Sequence, residues 1–559
     1  MSTASLPTPH SSSTHRLHRS ETLLTWQRRR WWRTCSLSMN GCGGSDRAPV
    51  GIHETRTLPE VAAPESAVPQ LKSAIAALNA DPPRCDSGII RLEVPIRQRA
   101  DAIEWLQAQR PLPRCFFSGR AQRADAAMSF PGNGAVAKRL VSVAGVGSAV
   151  FFRGSDPFAL EDWRSIKRFL SRDCPLIRAY GAIRFDARSD VSPEWKDYGS
   201  FYFIVPQVEF DELEESCVLA MTVAWDNSLL WTWQKAMDDL QETLHQISPY
   251  FLTFKEPSSR TTIISLNHVP TKASWDVSVK KALRMIKEED SELVKVVLAR
   301  CSRYVTDGII DPVALLDRLK VEGQNAYQFC LQPPDAPAFI GNTPEQLFHR
   351  KYLNISSEAL AGTRARGVSK VEDLQIGRDL LFSPKENIEF TIVRESIRKK
   401  LEIICNEILV EPSKALRKLP RVQHLSAQLS GTIRNEDDEF DILKSLHPSP
   451  AVCGLPTEEA RQYIEENEMF DRGMYAGPVG WFGGVESEFA VGIRSALVGK
   501  GCNTLVYAGA GIVEGTNPSS EWEELDLKAS QFTKLWQYQE PQIYYWEAKN
   551  MGTAIVPSE

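Results

Sequence analysis

The longest nearly apolar run of this 559-residue chain, residues 140–152, is 13 residues long and is interrupted by serine and glycine. A membrane-spanning helix needs about 18 or more consecutive apolar residues. The sequence therefore predicts no bilayer crossing, and any core has to be assembled from many short segments. Material for a large core is present, since 42% of the residues are hydrophobic, and the length allows three or four domains or two large ones. Lys and Arg number 65 against 71 Asp and Glu, a net charge of −6. That balance gives no global positive excess to hold a nucleic-acid backbone, and the composition is not that of a disordered acidic chain.

The charge is unevenly placed. Residues 1–50 carry seven arginines, no lysine and only Glu21 and Asp46, a net +5 that leaves −11 for the remainder. This Arg- and Ser-rich leader lacks the apolar centre of a secretory signal and has the composition of an organelle transit peptide, plastid ahead of mitochondrion, with cleavage expected between about 40 and 65. The alternative is a tail with incidental arginines. Eleven cysteines without a C-x-x-C pair read as reduced, mostly buried thiols, and the nine histidines show no metal-ligand spacing.

From about 65 to 270, short strand-like runs alternate with helical patterns. Strands are predicted at 88–96, 140–152, 177–185, 200–210 and 217–225, and helices at 70–79, 160–170 and 231–247. This half carries no concentrated chemistry and reads as scaffold. The polar stretch 254–274 suggests a connection, after which Ser274 would cap a helix over 275–289. The resulting organisation is a leader (1–60), a scaffold part (61–270), a catalytic part (271–540) and a tail (541–559).

Residues 291–530 hold nearly every segment that looks like a site. LVKVVLAR at 293–300 is a buried-strand pattern with Lys295 near its start, either an edge residue with its amine in water or a functional amine. FIGNTPEQLF at 339–348 places Glu345 after a turn, either at the surface or in an apolar cleft where its raised pKa lets it donate a proton. Ala361, Gly362 and Thr363 form a small-residue stretch that lets backbone approach an anion. Glu386 and Glu389 lie three apart on one helix and Glu521 and Glu524 three apart on another. If those faces meet, four carboxylates suit a hard ion such as Mg²⁺. The plainer explanations are that acids favour helix starts, that Ser520 and Glu523 form a capping box, and that Glu524 and Lys528 form an i,i+4 pair. Gly509 and Gly511 with Gly515 depart from a dinucleotide fingerprint, and no βαβ unit follows. Close approach to a small acidic ligand, with Arg494 as a carboxylate clamp, fits better.

In this order, KVVLAR (295–300), GNTPE (341–345), LAGT (360–363), HPSPAVCGLP (447–456), FDRGMYAGPVGW (470–481), IRSAL (493–497) and AGAGIV (508–513) resemble the chorismate-binding family. That family includes isochorismate synthases, salicylate synthases and anthranilate synthase large subunits. The motifs cover 291–535, and the nearest likeness is to the plant plastid isochorismate synthases. The resemblance implies an α+β fold of two packed β-sheets flanked by helices, and a Mg²⁺-dependent conversion of chorismate to isochorismate in the plastid stroma. It implies Lys295 as the base that activates water, partly neutral for the purpose, and Glu345 as the acid. Glu386, Glu389, Glu521 and Glu524 are implied as the metal site. Tyr475, Arg494 and the Gly509–Ala510–Gly511 turn are implied to hold the enolpyruvyl carboxylate, with Ala361, Gly362, Thr363 and Lys528 completing the wall.

Lys295, and Cys453-Gly454-Leu455-Pro456 where amine-adding members have a GAPK-type segment, favour water as nucleophile. No glutamine amidotransferase subunit is expected, and the chain is expected to be a monomer. Salicylate synthases, the first alternative, tend to have Thr where this chain has Ala451. A chorismate binder that has lost catalysis is the second. Salicylate and phylloquinone are the two product fates the resemblance suggests. Cys453 is expected to be a packing residue, and His447 to shape its turn.

Overall fold

Short β-branched and aromatic runs such as Phe201–Val205 (FYFIV) are buried along their whole length, and they assemble into two large sheets. The computed structural model describes residues 38–43, 48–120, 140–248, 261–321, 323, 325–499 and 501–538. Most of the leader, the part of the polar connection at 254–260 and the tail at 541–559 lie outside the described residues. Among the described residues one sheet has 11 strands and the other 14, with helices packed around them, an α+β architecture. No helix of the described residues is long and apolar enough to cross a membrane.

Both halves of the chain build both sheets. Strand Arg178–Ile183 pairs with Pro478–Gly483 in the smaller sheet, and Arg114–Ser118 pairs with Tyr327–Gln332 in the larger. The boundary near 270 is therefore a change of chemical character along one folded unit. Residues assigned from the sequence to the leader (1–60) also join that unit: Met39–Asn40 pairs with the start of strand Val150–Gly154, and His53–Thr57 with Ser87–Ile96.

Two predicted strands prove to be pairs. The run at 140–152 breaks into Leu140–Val146 and Val150–Gly154, because Gly147 turns the chain with φ +68°. The run at 200–210 breaks into Phe201–Val205 and Val208–Leu213 around Pro206, which has no N–H for a ladder. The helix predicted at 275–289 spans Lys272–Lys287, and Thr271 rather than Ser274 caps it. Ten described cysteines are free thiols, seven of them buried.

The paired glutamates stand at the starts of two helices, one on each sheet. Pro384–Ile404 begins with Ser383 accepting the N–H of Glu386 and packs on strand Asn354–Ala365 of the smaller sheet. Pro518–Thr533 begins with Asn517 accepting from Ser519 and Ser520, and packs on strand Asn503–Ile512 of the larger. Each has proline in its first turn, where a missing N–H costs nothing. The Asn517 cap replaces the predicted capping box of Ser520 with Glu523.

Candidate active site

The chain crosses between the sheets at two adjacent places, and each crossing carries a side chain of interest. Strand Ala338–Thr343 belongs to the larger sheet and Gln346–Lys351 to the smaller, so Glu345 sits at the passage between them. The return passage runs from Glu486–Val491 to Ser495–Val498 and carries Arg494. The crossings are tied together: Val491 N–H donates to the Glu345 carbonyl at 3.0 Å, and Asn342 N–H to the Arg494 carbonyl at 3.1 Å. Arg494 has φ +50°, a left-handed conformation that costs energy for a residue with a Cβ. Gln531 Nε2 also donates to its carbonyl, at 3.0 Å, which helps hold the strained turn and its guanidinium in place.

A cleft opens beside these crossings. Val297, Ala508, Gly509 and Gly511 line it from the larger sheet, Leu360–Thr363 and His424 from the smaller, and Ala451, Tyr475, Glu389, Glu524 and Lys528 close its sides. Gly362 sits in a β-bulge with φ +71°, where an added Cβ would lie 2.9 Å from Glu386 Oε2. At Gly511 a Cβ would fall 2.3 Å from Glu389 Oε1 and 3.2 Å from Lys295 Cε. Backbone therefore lies directly against the protein's own carboxylates.

His424 is a cleft residue that the sequence reading missed. It lies opposite Thr363 and is buried. Its Nδ1 donates to the Gly362 carbonyl at 3.0 Å, which leaves Nε2 bare to accept Arg494 Nη2 at 3.3 Å. Burial, with Arg494 and Lys528 adding to it, keeps the imidazole neutral. In the sequence it is one polar residue inside an alternating strand pattern (VQHLSAQLSG), with nothing local to separate it from a packed histidine.

Glu345 is buried, and its carboxyl is pushed up to about 8, by burial first and then by the Glu358 carboxylate. Lys295, Lys528 and Arg494 oppose that rise. The group therefore carries its proton at neutral pH. Lys295 is wholly buried and does not itself line the cleft; its Nζ donates to Glu389 Oε1 at 3.0 Å. The edge-lysine alternative is excluded.

The four glutamates lie near enough to influence one another electrostatically. Glu386 is raised by burial, with Glu389 and Glu524 contributing, and Glu521 is pushed up to about 7 by burial and by Glu524. Each also meets a cation: Glu386 with Arg364 at 2.7 Å, Glu389 with Lys295, Glu521 with Lys385 at 2.6 Å, and Glu524 with Lys528 at 2.6 Å. As the side chains stand, no three acidic, imidazole or thiol groups among the described residues converge to enclose an ion. The donor set nevertheless suits Mg²⁺: hard carboxylate oxygens on two helix starts, two of them raised by burial first and by their neighbours' charge second.

Of the other predicted residues, Ala361, Thr363, Tyr475, Arg494, Gly509 and Lys528 line the cleft. Ala510 does not: strand alternation turns it into the core between two cleft-lining glycines. Lys528 Nζ donates to the Gly509 carbonyl at 2.7 Å, and Tyr475 stacks on Tyr507 with ring centroids 5.2 Å apart. Cys453 is a packed thiol. His447 Nε2 points at the carbonyls of Arg184 and Phe185, and burial lowers it to about 4, a structural residue as expected.

Over residues 89–536 the chain matches the family described as chorismate binding enzyme. It belongs to that family. It is 58% identical over 504 residues to isochorismate synthase 2, chloroplastic, of Arabidopsis thaliana, which covers 89% of this chain and 90% of the relative. It is 56% identical over 528 residues to isochorismate synthase, chloroplastic, of Catharanthus roseus, 91% of each. Among solved structures, the menaquinone-specific isochorismate synthase MenF of Escherichia coli matches with a TM-score of 0.70 at 25% identity, over 84% of this chain and 99% of that one. Anthranilate synthase component I of Streptococcus pneumoniae shares the fold, with a TM-score of 0.53 at 21% identity over 64% and 81%. The two-sheet α+β fold expected for a chorismate-binding enzyme is the one observed.

Proposed function

We propose that this chorismate-binding enzyme is an isochorismate synthase, an isomerase that converts chorismate to isochorismate. The observation that carries the reading is the buried Glu345, its carboxyl pushed up by burial, on the same cleft as a lysine-backed carboxylate set. The reaction adds water at ring C2 while the C4 hydroxyl departs and the ring double bonds shift between them. It needs a base at one position and an acid at the other. Glu345 is the acid: it gives its proton to the departing hydroxyl, which leaves as water. Lys295 is the base: a cation in its resting pair with Glu389, it first releases one proton to solvent, and the neutral amine then accepts a hydrogen bond from the attacking water and takes that proton. Arg494, oriented by His424 Nε2, binds the enolpyruvyl carboxylate together with Tyr475 and the backbone at Gly509 and Gly511. Glu389 and Glu524 would hold Mg²⁺, with Glu386 and Glu521 beside them, and the ion would supply positive charge to the ring carboxylate.

Ala451 on the cleft wall supports stopping at isochorismate rather than eliminating pyruvate. Cys453-Gly454-Leu455-Pro456 in place of a GAPK-type segment supports an enzyme that uses water and takes no amidotransferase subunit; a monomer is proposed with it. The Arg-rich leader and the chloroplastic names of the two plant relatives support a plastid stromal enzyme with a cleaved transit peptide. Because Met39 and the residues after it join the folded unit, the leader is best placed at 1–37.

Turnover in H₂¹⁸O tests the mechanism: isochorismate is expected to carry one ¹⁸O at the new hydroxyl, and unlabelled product would mean that the hydroxyl migrates within the ring and that no water is activated. Glu524→Gln is expected to weaken Mg²⁺ binding, measured by calorimetry, by at least the roughly 10–100-fold typical of a lost supporting contact at a metal site. An unchanged isotherm would remove Glu524 from the metal site.

A further inference from the structure

One buried ion cluster grips the chain on both sides of Glu345. Glu358, on strand Asn354–Ala365, is wholly buried, and two guanidinium groups close on its carboxylate. Arg120 donates Nη1 to Oε1 at 2.8 Å and Nη2 to Oε2 at 2.9 Å. Arg417 Nη1 lies 2.6 and 2.7 Å from the same two oxygens. Both arginines also donate to the carbonyl of Pro344, at 2.8 and 3.3 Å. Glu358 accepts the N–H of Gln346 at 3.1 Å, and Gln428 Nε2 donates to it at 3.1 Å. Pro344 and Gln346 flank Glu345, so the peptide units before and after the acid are both fixed by this cluster. None of the three charged residues lines the cleft. Arg120 comes from the half of the chain that the sequence presents as scaffold.

The charged or titratable groups that bear on Glu345 are Lys295 from strand Lys295–Thr306, Lys528 from helix Pro518–Thr533, Arg494 from the return crossing, Tyr475 from the segment before Pro478–Gly483, and Glu358, while Glu389, Glu524 and His424 line the same cleft. Three are cations that draw the proton off Glu345. Of the carboxylates, Glu358 is the one that raises Glu345, and despite its burial Arg120 and Arg417 hold it ionised, at about 2.

We propose that Glu358, clamped by Arg120 and Arg417, is a positioning residue that fixes the backbone of Glu345 and sets a negative charge beside the acid. The inference rests on the reading of Glu345 as the proton donor.

The test is the pH dependence of kcat for the full chain with chorismate and Mg²⁺. Glu358→Gln removes the anion and leaves two guanidinium groups, so the fall of kcat on the alkaline side is expected to move to lower pH by about one unit or more. Arg417→Gln and Arg120→Gln each remove one cation and leave Glu358 paired, so the same limb is expected to move to higher pH. KM for chorismate should change little in all three, since none of these residues reaches the cleft. If Glu358→Gln does not fold, the two arginine variants carry the test alone. A limb that stays in place while kcat drops means that the cluster is only structural and overturns the proposal. A limb that persists unmoved in the residual turnover of Glu345→Gln belongs to another group and overturns the acid assignment along with the clamp.

Discussion

Lys295→Ala is expected to lower turnover by about 10²–10⁴-fold, the usual contribution of a positioned acid or base, while the chain stays folded. Removing one partner of a buried ion pair can cost about 3–5 kcal/mol when the other charge is left stranded. Here Glu389 would not be stranded. Burial acts to raise it, but besides Lys295 it faces Lys385 and Lys528, and together these hold it below the usual carboxylate range. A cooperative melt and near-normal chorismate binding should therefore accompany the lost turnover. Lys295→Arg is not expected to rescue, because a guanidinium cannot give up its proton to become a base. Full turnover in Lys295→Ala would remove the assigned base.

Glu345→Gln is expected to cost as much, for a complementary reason. The amide keeps the shape and burial of the side chain but has no acidic proton to give the departing hydroxyl. The wild-type pH profile should share that origin. Because Glu345 is pushed up to about 8, chiefly by burial, it is protonated and competent below that pH and loses its proton as the pH rises through it. Turnover should therefore hold through neutrality and fall on the alkaline side near pH 8. Glu345→Gln should have a small residual rate without that fall, measurable by following chorismate loss from about pH 6 to 10. Wild-type rates in the variant would show that another group protonates the hydroxyl.

The parts of the site written in the sequence are those whose signals are local. Glu386 with Glu389 and Glu521 with Glu524 are i,i+3 pairs behind a cap and a proline, and the structure brings the two helix starts together. Gly362 and Gly511 read as places for close backbone approach, and both lie against carboxylates. What escaped the sequence depends on contacts between distant segments. His424 is chosen by its register opposite Thr363, 61 residues away. Glu358 gains its meaning from Arg120, 238 residues earlier, and from Arg417, 59 later. The location of Glu345 and Arg494 at adjacent sheet crossings comes from topology, which neither motif carries. Ala510 shows the opposite limit: a motif names consecutive residues, whereas a strand presents alternate side chains to a cleft. The split runs at 140–152 and 200–210 were legible in Gly147 and Pro206, which an unbroken apolar pattern conceals.

The measurement that bears most directly on the function is product analysis of the expressed chain given chorismate, with and without Mg²⁺, by chromatography. Isochorismate that forms only when Mg²⁺ is present, with no matching release of pyruvate, is the predicted result. Salicylate and pyruvate formed together at an enzymatic rate, or chorismate bound and recovered unchanged, would contradict it.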